Sequence, residues 1–131
     1  MTDKLKIGIF GIGLDTYWPQ FSGLKERLEG YQSEITKKIG SAGDIDLIDA
    51  GLVDNPERSR AVGSLFSRQQ VDVIFLYIST YALSSTVLPV AQSVRVPIVV
   101  LNIQPVAAID YDAFNALGDR GTMTGEWLAH C

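Results

Sequence analysis

Lys6-Ile7-Gly8-Ile9-Phe10-Gly11 is a short apolar run that stops at a glycine-spaced turn. The stretch after it, Leu14-Asp15-Thr16-Tyr17-Trp18-Pro19-Gln20-Phe21, mixes aromatic rings with an acid and a hydroxyl. A strand this apolar is usually buried on both faces, which points to a parallel sheet covered by helices. In open sheets of that kind, ligands bind beyond the carboxyl ends of the strands, where strand order reverses. The loop after the first strand is therefore the first place to look for function.

The rest of the chain continues the rhythm. The first strand is expected over about Leu5 to Ile12. A long helix follows, with Leu24, Leu28, Tyr31, Ile35 and Ile39 at spacings of three and four, ending at Gly40-Ser41-Ala42-Gly43. Gly30 inside it costs somewhat under about 1 kcal/mol relative to alanine, or marks a break. Asp44 to Ala50 alternates polar and apolar as a half-buried edge strand does, and Gly51 to Asp54 reads as a turn. Asn55-Pro56-Glu57 supplies an N-cap, a proline at the first helical position and a favourable acid for a helix running to about Gln70. Val71 to Ile78 is the most continuous apolar run and the best central strand. The loop Ser79 to Ser84 leads to a helix over about Ser85 to Val94, with Pro89 early enough to be tolerated. Val96 to Ile103 is the last strand, and Tyr111 to Leu117 a short helix.

This alternation predicts a single α/β domain, a three-layer flavodoxin-like or Rossmann-like open parallel sheet in the order 2-1-3-4. A fifth strand is not visible, and Gly125 to Cys131 reads as a helix being entered where the sequence stops. Residues 1–131 are thus expected to be the N-terminal piece of a longer protein.

Composition narrows the partners. Among 131 residues, 47% are apolar and 20% charged, an ordinary balance for a globular domain. A net charge of −4 without a basic cluster repels nucleic acid and anionic membrane surfaces. No run approaches the roughly 18 to 20 apolar residues of a membrane span, and the N-terminus lacks a signal-peptide pattern. The lone cysteine, Cys131, excludes an internal disulfide and fits a reducing compartment, so a cytoplasmic protein is expected.

Several chemistries fail on spacing. Gly8, Gly11 and Gly13 give G-x-x-G-x-G, not the dinucleotide fingerprint, and Trp18-Pro19 stands where a glycine should open a helix. Tight turns and close packing explain these glycines better. No acid cluster ends the first strand, the only histidine is His130, and no serine lies in a nucleophile elbow. What remains is a rim of loops: Asp15, Thr16, Tyr17 and Trp18 after the first strand, Ser79, Thr80 and Tyr81 after the third, and Asn102 and Gln104 after the fourth. Hydroxyls, amides and aromatic faces are what a neutral polyol asks for.

Four stretches carry a resemblance: Tyr17 to Phe21 with Gly23-Leu24-Lys25, the Ser79-Thr80-Tyr81 loop, Leu101 to Ala108, and Asn115 to Trp127. Together they resemble the N-terminal domain of the L-arabinose isomerase family, a group that includes the L-fucose isomerases. The resemblance implies a cytoplasmic, homo-oligomeric, three-domain ketol isomerase of carbohydrate metabolism. Its divalent metal, typically manganese, would be held by later domains, so that this piece is inert alone. It also implies that this domain closes the sugar pocket of a neighbouring subunit. The matching positions are Leu14 to Tyr17, Thr80-Tyr81 and Gly118 to Thr122, which adds Asp119 and Arg120 to the candidate sugar contacts. The sequence departs from the family at two of these: Leu14 to Tyr17 stands for a Gln-His-Leu-Tyr-like segment, and Gly118 to Thr122 lacks a histidine. The alternative reading is a stand-alone α/β small-ligand-binding or regulatory domain, and a third is a pure assembly domain.

Overall fold

The computed structural model describes residues 4–105 together with Ala107 and Ala108. Four parallel strands, β1 (Leu5–Ile12), β2 (Ile45–Val53), β3 (Val73–Tyr77) and β4 (Ile98–Leu101), form one sheet in the order β2-β1-β3-β4. Between them run α1 (Leu24–Gly40), α2 (Pro56–Gln69) and α3 (Ser84–Ser93). The fold is the expected open α/β sheet, with its switch point between β1 and β3.

Two glycines of β1 explain how the layers reach it. A Cβ on Gly8 would lie 2.8 Å from the Phe66 ring of α2, and one on Gly11 would meet Gln32 of α1 and lie 2.8 Å from Leu52 Cδ2. Residues three apart on a strand face opposite ways, so α2 and α1 press on opposite faces of β1. The larger core lies on the α2 and α3 side, where Phe10, Ile12, Val53, Val62, Phe66, Ile74 and Val90 pack together. The smaller one, Leu24, Leu28 and Leu52, carries Tyr17, Trp18, Phe21 and Tyr31 at its margin. Of the α1 stripe read from the sequence, Leu24 and Leu28 are fully covered, whereas Tyr31, Ile35 and Ile39 are only half-buried. Gln32 takes the next buried place on the helix because Gly11 leaves room for it.

The structure corrects the boundaries at three places. Gly51 to Asp54 is not a turn: β2 runs on to Val53 through a bulge, where pairing shifts from Ile9↔Asp49 to Gly11↔Leu52. Gly51 takes the left-handed φ of 74° that such a bulge favours, and its N–H donates to Asp49 Oδ1 at 2.9 Å. Arg58 Nη2 holds the Ala50 carbonyl from α2 at 2.7 Å, fixing the edge strand. Pro89 stands in the middle of α3 rather than near its start, and its carbonyl accepts from Ser93 Oγ. β3 and β4 also end earlier than their apolar runs, since their pairing stops at Tyr77↔Leu101. The Asn55 cap is as read: Asn55 Oδ1 accepts from Arg58 N at 2.8 Å, with Pro56 at the first helical position. The proposed helix over Tyr111 to Leu117 lies outside the described residues, as do His130 and Cys131.

Among the described residues, no helix is long and apolar enough to cross a membrane.

Gly30 does not break α1, and a Cβ there would meet nothing within 4 Å. Gly30→Ala should therefore stabilise the domain by about 0.5–1 kcal/mol, read as a rise in the urea midpoint at unchanged slope. A fall in the midpoint would contradict the continuous, open helix surface described for this position.

Candidate functional site

The carboxyl ends of β1, β2 and β3 meet at one rim, and backbone hydrogen bonds tie their loops together. Gly13 N donates to Val53 O at 3.0 Å, and Asp15 N to Asp54 O at 3.3 Å. The loop then makes a single 3-10 turn, Asp15–Tyr17, closed by Trp18 N on Asp15 O at 3.2 Å. Asp15 and Thr16 are exposed on this turn. Tyr17 is half-buried, its ring edge-on to Phe21 with centroids 5.7 Å apart.

Trp18 does what the sequence does not announce. Its Nε1–H donates to Asp54 Oδ2 at 2.8 Å, and Asp54 Oδ1 accepts from Asn55 Nδ2 at 2.9 Å. The indole lies over Gly13 so closely that a Cβ there would be 2.9 Å from Cη2 and 3.0 Å from Cζ2. Thr80 Cγ2 is 3.8 Å from the same point, so Trp18 and Thr80 both pack against Gly13 at the end of β1.

The loop after β3 splits in two. Ser79 and Thr80 are buried, and the Ser79 hydroxyl donates to the Ile12 carbonyl across the switch point. Thr80 is 0% exposed, and among the described residues its Oγ1 has no hydrogen-bond partner. Tyr81, the next residue, is 51% exposed. The structure therefore puts Asp15, Thr16 and Tyr81 on the open rim and Thr80 beneath it, out of reach of a ligand in this conformation.

Gln104 points to a different place. It is exposed and lines, with Ile103, Pro105, Tyr77 and the α1 residues Tyr31, Glu34, Ile35 and Lys38, a cavity of about 220 Å³. Its Nε2 donates to Asn102 Oδ1 at 3.3 Å. Burial first, and the neighbouring Tyr31 second, push the Tyr77 phenol from 10.0 up to about 12. Asp119 and Arg120 lie outside the described residues. A second cavity, of about 390 Å³, opens between α1 and the β2 bulge, lined by Lys25, Glu29, Gln32, Asp49 and Arg58. There Gln32 Nε2 donates to Asp49 Oδ1 at 2.8 Å, which turns its Oε1 toward Gly11 with no partner among the described residues.

Among the described residues, no three His, Cys, Asp or Glu side chains lie close enough to hold a metal ion. The rim offers acceptors, hydroxyls and aromatic faces, which suit binding and orientation of an uncharged ligand. Comparison of the chain with protein-family models and with curated protein sequences finds no match to either.

Two outcomes test this geometry. Thr80→Val keeps the shape and removes a buried hydroxyl that bonds nothing among the described residues, so it should leave stability unchanged or raise it by about 1 kcal/mol in thermal melts. A loss of 2 kcal/mol or so would mean the hydroxyl is satisfied. For Tyr77, both folded and unfolded chains hold the phenolic proton below pH 10, and the unfolded chain loses it first above that. Folding stability should then fall between pH 10 and about 12, by roughly 1.4 kcal/mol per unit at most, and Tyr77→Phe should remove that part of the slope. Equal slopes for the two proteins in urea titrations would refute the burial of this phenol.

Proposed function

We propose that this chain is the N-terminal α/β domain of an aldose–ketose isomerase of the arabinose and fucose type, working in the cytoplasm as part of a homo-oligomer. Its task is to present a sugar-facing rim to a pocket completed by a neighbouring subunit. One observation carries the reading: the Tyr17–Phe21 and Ser79–Tyr81 segments, which carry the family resemblance far apart in sequence, follow the carboxyl ends of the adjacent strands β1 and β3. That is the switch point where open parallel sheets bind ligands.

Moving hydrogen between C1 and C2 of a sugar needs an acid–base pair and an electrophile for the carbonyl oxygen. The described residues offer no metal cluster, and no step is assigned to a metal held by this chain. The manganese or similar ion of such an enzyme belongs, on this reading, to other domains. What this domain supplies is orientation: Asp15 and Thr16 as hydrogen-bonding groups, Tyr81 as an exposed aromatic platform, and Gln104 as an amide in the neighbouring cavity on the α1 side.

The isolated chain should show no aldose–ketose turnover. In the protein that carries this domain, supplied with manganese and L-arabinose or L-fucose, Tyr81→Ala should raise KM about tenfold while the thermal midpoint stays put, as expected for loss of one exposed contact. An unchanged kcat/KM, or turnover by the isolated chain, would count against the proposal.

A further inference from the structure

Four charged side chains line the cavity of about 390 Å³ between α1 and the β2 bulge: Lys25 and Glu29 from α1, Asp49 from β2 and Arg58 from α2. Two are cations and two are anions, yet no ion pair among the described residues joins any of them. Lys25 and Glu29 stand one helical turn apart, and their side chains bond no described residue, although Lys25 is half-buried. The other two are held in place by the strand itself and its neighbours. Asp49 Oδ1 accepts from Gln32 Nε2 at 2.8 Å and from Gly51 N at 2.9 Å, which leaves Oδ2 without a partner among the described residues. Gln32, which fixes Asp49, is only 2% exposed and lines the same cavity. Arg58 Nη2 donates to the Ala50 carbonyl at 2.7 Å, and the rest of its guanidinium has no partner among the described residues.

Surface charges of opposite sign commonly stay in water at little cost. Here they line a concavity within the size range of small-ligand sites, and two of the four are pinned before anything binds. Groups held in advance lose less freedom when a ligand arrives. The pattern of charge selects the occupant. A simple anion would meet the Asp49 and Glu29 carboxylates, and a simple cation would meet Lys25 and Arg58. A neutral polyol would draw four charges partly out of water and return a charge to none. A molecule carrying both signs answers both pairs.

We infer that this cavity binds a small zwitterion, a free α-amino acid, apart from the sugar-facing rim. Its carboxylate accepts from the Arg58 guanidinium and the Lys25 ammonium, and its ammonium donates to Asp49 Oδ2 and Glu29. The inference goes beyond the isomerase reading and does not depend on it. The site is built from α1, α2 and the edge strand β2, and includes none of residues 15–17, 79–81 or 104.

Chemical-shift titration of the isotope-labelled chain with glycine, L-alanine, L-serine and L-glutamine tests the site. At least one of them should give saturable shifts at residues 25, 29, 49–51 and 58 and at the Gln32 side-chain amide, with residues 15–17 and 79–81 unmoved. Blocking either charge of that amino acid, as its N-acetyl or its carboxamide form, should weaken binding about fivefold or more. Lys25→Gln and Glu29→Gln should each weaken it about fivefold as well, at an unchanged thermal midpoint. Glu29 is the discriminating position, because at a plain anion site its neutralisation would tighten binding. No saturable shift with any of the four probes, equal binding of blocked and free forms, or unchanged or tighter binding by either glutamine variant would each overturn the inference. None of these outcomes bears on the rim, whose own test is titration with L-arabinose.

Discussion

The structure depends on how closely side chains from other elements can approach β1. This strand is buried on both faces at the centre of the sheet, and each of its glycines is met by a side chain that a Cβ would exclude: Phe66 at Gly8, Gln32 at Gly11, and Trp18 beyond the strand at Gly13. Phe66 brings α2 down on one face and Gln32 sets α1 on the other. Asp49 holds the Gln32 amide, so the bulge of β2 and the seating of α1 are linked through one side chain. Packing at this density leaves little freedom, and a single added methyl at these points forces neighbours to move.

The same constraint shapes the rim. Gly13 admits the indole, the indole reaches Asp54, and Asp54 joins the β1 loop to the end of β2 and the start of α2. The loop after β3 contributes a buried pair, Ser79 and Thr80, and then an exposed Tyr81. Two of the loops singled out by their chemistry thus meet at the β1–β3 switch point, while Gln104 belongs to a neighbouring cavity over Tyr77 and Tyr31. On the proposed reading, one domain orients a sugar at its rim while the bond-making groups come from elsewhere in the enzyme.

Much of the fold was legible because local signals agreed with it. The apolar runs of β1 and β3, the stripe opened by Leu24 and Leu28, and the Asn55-Pro56 cap each carry their own physical cause in a few residues. The β2 bulge was not legible: Ala50-Gly51-Leu52 looks like a strand end followed by a turn, and only pairing with β1 shows that the strand goes on. The identity of the rim was read from residue chemistry, but its depth was not. Thr80 and Tyr81 are neighbours with opposite exposure, and nothing in Ser-Thr-Tyr says which will be covered. Nor could the Trp18–Asp54 hydrogen bond be foreseen, since 36 residues separate the partners and only the β1–β2 pairing brings them together.

Amide chemical-shift mapping of the isotope-labelled chain titrated with L-arabinose tests the central claim most directly. The account predicts saturable shifts at residues 15–17, 79–81 and 104. Shifts confined to the α1–β2 cavity around Lys25, Gln32 and Arg58, or no saturable shifts anywhere, would contradict it.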